Sequence, residues 1–386
     1  MRVEDLLAFY RSDPRAEMLR RTWEQASAKT ELKGIVGSAT ALLAAACVDV
    51  ELEQAAASEP RASHLFILDD KESAAYLLND LEQLLGKRQH VLFFPRSARV
   101  PYQEEVTENA NIAMRAEVLN EINRAQSGLV IVTFAEAIAE QVISRRELSK
   151  QTFTLSLGES YTLDFLDEVF IEYGFQKVDF VYEPGHYAIR GGIVDVFSFS
   201  FDHPYRIEFF GDEVESIRKF NPINQLSINK MTRAVIVPNV GDRNLHETVE
   251  PIFNFIPGNT RIWMTDANRC EKHLEKAMER AESAFERVSD QMAFTPPSDL
   301  FIGPQNFKRL IEPFHVQEFD GGTSFPERVV IAWDMIPQPS FNKNFDLITS
   351  NLQGNHRQGY HNVIVAGQAT QIERLHDIFA DRQEEV

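Results

Sequence analysis

Residues 34–41 have the sequence Gly34-Ile35-Val36-Gly37-Ser38-Ala39-Thr40-Ala41. This stretch follows the outline of the phosphate-binding loop G-x-x-x-x-G-K-[ST]. In a working loop the backbone N–H groups wrap the phosphates, the lysine reaches the β- and γ-phosphate oxygens, and the hydroxyl holds Mg²⁺. Three decisive positions differ here, because Ala39 replaces the second glycine, Thr40 the lysine and Ala41 the hydroxyl-bearing residue. The pattern predicts a degenerate, non-functional nucleotide loop in a fold retained for another purpose.

The flanks of the loop predict a strand before it and a helix after it. Leu32 to Val36 has the composition of a short strand, and Leu42 to Ala46 consists of strong helix formers. Strand, glycine turn and helix follow one another in this order in nucleotide-binding loops. An ordinary strand-to-helix turn with two glycines is the alternative, and this segment alone leaves both open.

The first third of the chain alternates strand and helix patterns. Helical spacing of apolar residues covers 74–85, with Asp70 as its N-cap and Gly86 at its end, and recurs over 114–122. A further helix is predicted through about Ile143. Three apolar runs have the length of buried parallel strands: 65–68, 90–94 and 129–132. The alternation predicts an α/β fold with a parallel, doubly wound sheet.

The pattern changes between Gln151 and about Thr232. One helix is predicted at 163–173, and glycine-containing turns separate several short runs of β-branched and aromatic residues. Those runs are predicted strands: 179–182, 187–190, 193–197 and 205–210. They indicate an antiparallel α+β module set into the α/β body.

The α/β pattern returns from about Ala234. Asp266 is predicted to cap a helix that runs to about Asp290. Further strands are predicted at 261–264, 329–332 and 362–366, and further helices at 344–359 and 368–379. We expect four parts: 1–147 and 233–335 as the two halves of the body, 148–232 as the inserted module, and 336–386 as the start of a small α/β domain. The last part leads us to expect a piece of a longer protein.

Composition narrows the class of protein. No apolar run is long enough for a membrane span, and the N-terminus lacks the features of a signal peptide. The only cysteines, Cys47 and Cys270, suit a reducing cytoplasm. A net charge of -19 disfavours a non-specific nucleic-acid clamp and favours a protein partner. No histidine spacing typical of a metal site and no nucleophile motif occurs, so we predict no catalytic residue, metal or cofactor for this region.

Two motifs in the inserted module carry a family resemblance. The first is Pro184-Gly185-His186-Tyr187-Ala188-Ile189-Arg190-Gly191-Gly192-Ile193-Val194-Asp195-Val196-Phe197. The second is Tyr205-Arg206-Ile207-Glu208-Phe209-Phe210-Gly211-Asp212-Glu213. In this order they resemble the interaction module shared by the excision-repair protein UvrB and the bacterial transcription–repair coupling factors, the Mfd family. The resemblance spans roughly Leu32 to Val237.

Differences from UvrB favour the coupling factors. UvrB has an intact phosphate loop and a long aromatic hairpin that clamps DNA, whereas the corresponding link here, 95–109, contains only Tyr102 as an aromatic residue. No D-E-x-H motif is present either. The resemblance implies a UvrB-like body without ATPase activity, in a protein whose other regions bind RNA polymerase and DNA and hydrolyse ATP. It also implies recruitment of the repair protein UvrA, and an intramolecular contact of this region with a C-terminal domain.

The resemblance implies a basic UvrA-binding face on the module. Arg190 matches a family arginine, and Gln176-Lys177 occupies a turn in which the family often has arginine. Tyr187 is a further candidate, although core packing explains it equally well. Asp195 is expected to pair with an arginine or to orient loops. The alternative for Arg190 is a solvated arginine at a strand end.

The sequence leaves two other functions open. A divergent NTPase would need a lysine from elsewhere, such as Lys33, folded back over the loop. A DNA-binding, UvrB-like excision-repair subunit is the second alternative, which the net charge and the short link disfavour.

Overall fold

The structure is a computed structural model. It describes residues 3–54, 60–97, 109–125, 127–199, 203–239, 248–288, 295–319, 321, 324–342, 344–364 and 369–381. These residues fall into two compact units, which divide the chain at Met335 and Ile336.

The described residues contain these strands: β1 (Lys29–Lys33), β2 (His64–Leu68), β3 (Val91–Phe94), β4 (Val130–Phe134), β5 (Val142–Ile143), β6 (Phe153–Ser156), β7 (Gln176–Lys177), β8 (His186–Arg190), β9 (Ile193–Val196), β10 (Tyr205–Phe210), β11 (Glu213–Phe220), β12 (Ser227–Met231), β13 (Arg233–Ile236), β14 (Val249–Glu250), β15 (Arg261–Met264), β16 (His315–Glu318) and β17 (Val329–Ala332). The helices are α1 (Val3–Ser12), α2 (Pro14–Thr22), α3 (Ala39–Gln54), α4 (Lys71–Leu85), α5 (Asn109–Ala125), α6 (Ala135–Ala139), α7 (Arg145–Gln151), α8 (Leu163–Glu172), α9 (Ile252–Phe255), α10 (Ala267–Val288), α11 (Pro297–Leu300), α12 (Pro304–Ile311), α13 (Phe345–Arg357) and α14 (Ala369–Asp381). A 3₁₀ turn, Gly86–Arg88, follows α4.

A seven-stranded parallel sheet forms the body of the first unit, in the order β17-β1-β16-β15-β2-β4-β3. Every residue of β2 and β4 is buried, as expected where helices cover both faces of a parallel sheet. Asp70 caps α4 by accepting a hydrogen bond from the Ser73 N–H at 2.8 Å, and Gly86 ends that helix. The predicted fold class, an α/β body with an inserted α+β module, is confirmed.

The inserted module is a six-stranded sheet in the order β12-β11-β10-β9-β8-β7. All neighbours are antiparallel except β7 and β8. In β10, Tyr205, Ile207 and Phe209 are buried, while the residues between them are more exposed. This alternation is typical of a sheet with one face on the core and one toward solvent. Two small pairs, β6 with β13 and β5 with β14, complete the first unit.

Tertiary contacts override the local pattern at two places in the body. The strand predicted at 32–36 lies earlier, at β1, because Gly34 adopts a φ of +74°, which is not strand geometry. The helix predicted through Ile143 stops at Ala139. Glu140 is extended and bridges Phe301, and β5 then pairs with β14. β5 and β14 are distant in sequence, so the local sequence pattern does not show their pairing. Helical propensity alone therefore placed the end of the helix too late.

Two predicted strands are absent from the described residues. Residues 179–182 cross the solvent side of the module sheet instead of joining it, and Val181 packs there with Ala188, Phe197 and Phe220. In the second unit, residues 361–364 form no strand, and the rest of the run predicted at 362–366 lies outside the described residues. The helices predicted there are observed as α13 and α14. No described helix is long and apolar enough to span a membrane.

A buried polar network lies at the amino end of the main sheet. Trp263 Nε1 donates to His64 Nδ1 at 3.0 Å, and His64 Nε2 lies 3.1 Å from the Glu51 carboxylate. Burial lowers the pKa of His64 to about 3. The nearby carboxylate does not prevent this shift, because Glu51 is already paired with Arg261. His64 is therefore a neutral link between two strands and α3.

Candidate functional site

Gly34, the first glycine of the degenerate loop, has a structural requirement of its own. A Cβ on this residue would lie 2.1 Å from the Trp333 carbonyl oxygen, and its φ is in the left-handed region. Gly37 also has a positive φ, of +58°, but a Cβ there would meet nothing within 4 Å. Gly34 thus allows the chain after β1 to run close to the chain after β17, independently of any phosphate.

The backbone amides at the start of α3 are engaged within the loop. The N–H of Ala39 donates to the Val36 carbonyl at 3.3 Å, and that of Thr40 donates to the Gly37 carbonyl at 3.5 Å. Ala39, Thr40 and Ala41 are buried, whereas Gly37 and Ser38 are exposed. A phosphate cradle needs such amides to point at the ligand. Here they close a turn that leads into the helix.

A groove of about 1200 Å³ lies elsewhere on the body. Its lining includes Pro60, Ser127 and Asn259, which precede β2, β4 and β15. In a parallel sheet the amino ends of the strands lie at the edge opposite to their carboxyl ends, where the loop after β1 is found. The groove and the degenerate loop are therefore separate features.

The solvent side of the module sheet carries Arg190, one of the predicted partner-binding residues, and we call it the outer face. The register of the strands places Asp195 between Ala188 on β8 and Arg206 on β10, and Arg206 opposite Arg218 on β11. Tyr187 points the other way, toward α8, where its ring lies 4.9 Å from that of Phe170.

One buried carboxylate orders two arginines at the centre of the outer face. Asp195 is fully buried and accepts two hydrogen bonds from Arg206, at 2.7 and 2.8 Å. Arg190 pairs with the same carboxylate through Nη2. The two arginines, here called the arginine pair, together with Asp195 have a local charge of +1 in a strongly acidic chain. The expectation that Asp195 pairs with an arginine is confirmed.

Arg190 is held in place and yet remains accessible. Its Nη1 donates to the Asp179 carbonyl, and its guanidinium lies 5.2 Å from the centre of the Phe180 ring. The side chain is still 38% exposed. This differs from a freely solvated arginine, because the guanidinium is ordered before any partner arrives.

The other predicted residues lie at the β7–β8 end of the sheet. Gln176 is exposed, and Lys177 is exposed with its Nζ 2.7 Å from Asp167 Oδ1. The Tyr187 hydroxyl donates to the same oxygen at 2.9 Å. The hydrogen bond from Lys177 lowers the pKa of Asp167, and burial together with the bond to Asp167 raises the pKa of Tyr187.

Tyr187 is a correction to the predicted set. Its relative exposure is 0%, because the ring packs on the core side of the sheet. Core packing, the alternative explanation, therefore accounts for it, and Tyr187 supports the outer face from below instead of lying on it.

The family model of the UvrB interaction domain matches residues 153–241, which include the whole module sheet. Residues 153–241 are therefore similar to the UvrB interaction domain. The match confirms the predicted resemblance.

Curated relatives agree with this assignment. A transcription-repair-coupling factor from Bacillus subtilis is 29% identical over 207 residues, 54% of this chain and 17% of that protein. One from Myxococcus xanthus is 28% identical over 183 residues, 46% of this chain and 15% of that protein. UvrABC system protein B from Thermosipho africanus is 23% identical over 257 residues, 64% of this chain and 38% of that protein. The matched part of the chain thus spans well under two thirds of the length of each of these relatives.

Arg206 is a residue of the UvrB-like outer face that sequence reasoning missed. The alternation in Tyr205–Phe210 places Arg206 on the opposite face from the buried Tyr205, Ile207 and Phe209. The sequence alone therefore indicated the side of the sheet on which Arg206 lies. The pairing of Arg206 with Asp195 could not be predicted, because it depends on the register between β9 and β10. The link at 95–109, used to argue against a DNA-clamping hairpin, falls mainly on residues 98–108, outside the described residues.

Proposed function

We propose that this region binds UvrA through the outer face of its UvrB interaction domain. In the proposed role it recruits excision repair to places where RNA polymerase has stalled on damaged DNA. Other regions of the full-length, cytoplasmic protein would bind polymerase and DNA and supply an ATP-dependent translocase. The observation that carries this proposal is the arginine pair, an ordered cationic centre on the outer face, where Arg190 remains accessible.

The geometry favours a protein partner with a carboxylate. A guanidinium offers planar, bidentate hydrogen bonding, and Asp195 occupies only part of the donors of Arg190. Contacts to Asp195, Asp179 and Phe180 fix the side chain in advance, so less conformational freedom is lost on binding. Arginine is also enriched among the residues that dominate interface energetics.

We further propose that this region is not itself an enzyme and needs no cofactor. The turn hydrogen bonds of Ala39 and Thr40, and the burial of Thr40 and Ala41, support a structural role for the degenerate loop. The exposed Lys33 lies at the end of β1, before Gly34, and its carbonyl accepts a hydrogen bond from the Trp333 N–H at 2.8 Å. That pairing ties the Lys33 backbone to the chain after β17.

Titration of purified UvrA by calorimetry tests the binding proposal. Arg190→Ala combined with Lys177→Ala is expected to weaken binding by about 2–5 kcal/mol, the usual loss when a buried interfacial charge contact is removed. The variant should fold, because Asp195 keeps its bidentate partner Arg206. Arg124→Ala, which removes an exposed arginine from α5, is the matched control. Unchanged affinity of the double variant would show that the outer face is not the docking site.

Nucleotide and DNA binding are the competing outcomes. Equilibrium titration with a fluorescent ATP analogue is expected to show no Mg²⁺-dependent binding in the micromolar range. Clear binding would support the divergent NTPase. Tight, salt-sensitive binding of this chain to duplex DNA would support a DNA-binding subunit.

A further inference from the structure

The turn between β11 and β12 presents two aliphatic side chains to solvent. Ile223 is 88% exposed and Leu226 is 67% exposed. They lie within residues 221–226, here called the hairpin tip. Single exposed aliphatic residues are common on protein surfaces. Here two of them lie on one short turn and form a small apolar surface.

Hydrogen bonds within the hairpin tip hold its backbone. Asn221 Oδ1 accepts from the N–H of Ile223 at 2.8 Å and from that of Asn224 at 3.2 Å. Asn224 Oδ1 accepts from the N–H of Leu226 at 3.0 Å, and the Gln225 N–H donates to the Asn221 carbonyl at 2.8 Å. Both aliphatic residues therefore project from a backbone that is already ordered.

Gln225 connects the hairpin tip to the arginine pair. Arg206 donates to the Gln225 side-chain oxygen at 3.1 Å and to its carbonyl at 3.4 Å. Gln225 Nε2 also lies 3.4 Å from the Val181 carbonyl, between the exposed aromatic residues Phe180 and Tyr182. Charged centre and apolar tip are thus parts of one continuous surface.

We propose that the hairpin tip is an apolar anchor for the same protein that engages Arg190. This inference rests on the proposed function and adds the chemistry of the partner surface. That surface carries a carboxylate for the arginine pair and, beside it, an apolar patch that covers Ile223 and Leu226. The local charge of +1 selects an acidic partner, and the ordered tip buries apolar area at a small cost in conformational freedom.

Calorimetric titration of UvrA compares three variants of the full chain. Ile223→Ser combined with Leu226→Ser is expected to weaken binding at least tenfold. Ile171→Ser, which changes an exposed aliphatic residue on α8, should bind like the unmodified chain. If Arg190→Ala weakens binding while the double tip variant does not, the tip lies outside the interface and only this inference fails. If the unmodified chain does not bind UvrA, the proposed function fails as well.

A labelling experiment reports on the hairpin tip without depending on a loss of affinity. Cys47 and Cys270 are both buried, so a thiol-reactive bimane should attach selectively to an Ile223→Cys variant. Addition of UvrA is expected to shift the bimane emission to shorter wavelength and to protect it from iodide quenching. A label that stays equally quenchable in a saturated complex would overturn the inference.

Discussion

Replacing the two loop glycines one at a time separates a structural role from a phosphate-binding role. Gly37→Ala places a side chain at a φ of +58° in open space. The left-handed backbone costs about 1–2 kcal/mol, and the restricted unfolded chain returns about 0.4–1 kcal/mol. We therefore expect Gly37→Ala to lower the free energy of unfolding by about 1 kcal/mol.

Gly34→Ala meets the same backbone cost and a steric one. Its Cβ would lie 2.1 Å from the Trp333 carbonyl oxygen, which belongs to the backbone and cannot rotate away. The chain after β17 must move, which strains the 2.8 Å hydrogen bond from Trp333 N–H to the Lys33 carbonyl and the packing of the buried Trp333. The free energy of unfolding should fall by about 3 kcal/mol in total. This sum combines the backbone cost, about 1 kcal/mol for the hydrogen bond, and a similar or larger loss of packing.

Urea unfolding followed by tryptophan fluorescence measures this difference. All three tryptophans, Trp23, Trp263 and Trp333, lie in the first compact unit, so the signal reports on that unit alone. We expect Gly34→Ala to be less stable than Gly37→Ala by about 2 kcal/mol. Equal urea midpoints for the two variants would refute the claim that Gly34 is retained for the contact with Trp333.

Three further predictions concern the module and the buried network. Asp195→Asn leaves Arg190 and Arg206 without their shared carboxylate and should lower the free energy of unfolding by about 2–4 kcal/mol, measured by urea denaturation; a loss below 1 kcal/mol would contradict the role of Asp195. Tyr187→Phe removes the hydrogen bond to Asp167 and should cost about 1 kcal/mol of stability while leaving UvrA affinity unchanged, as measured by thermal melting and calorimetry. His64 has a folded-state pKa of about 3, below its unfolded value, so protons bind preferentially to the unfolded chain as pH falls below about 6.5. Its contribution to stability should fall by about 2 kcal/mol between pH 7 and pH 5, and His64→Asn should show a pH dependence that is flatter by that amount; parallel curves would exclude His64 as the cause.

Elements governed by local chemistry were predictable from the sequence. The α4 helix begins at a capping aspartate and ends at a glycine, and both signals lie within the segment itself. The bounds of β10, β15 and β17 also match the predicted strands, because short apolar or alternating runs between turn residues carry enough information.

Features set by long-range pairing were not predictable. The β5–β14 pair joins segments more than a hundred residues apart, and it overrides an apparently helical run. Residues 179–182 have the composition of a strand, but Val181 packs over the sheet. In the candidate site, the choice between Tyr187 as a core residue and as a surface residue depended on which face of β8 meets α8. Only the fold decides that.

Hydrogen exchange of the chain alone and in complex with UvrA tests the central claim most directly. If the outer face is the docking site, UvrA should slow amide exchange in 178–183, in the Gly191–Gly192 turn and in the hairpin tip. Exchange in the loop 34–38 should be unchanged. Protection of that loop, with unchanged exchange on the outer face, would contradict the account.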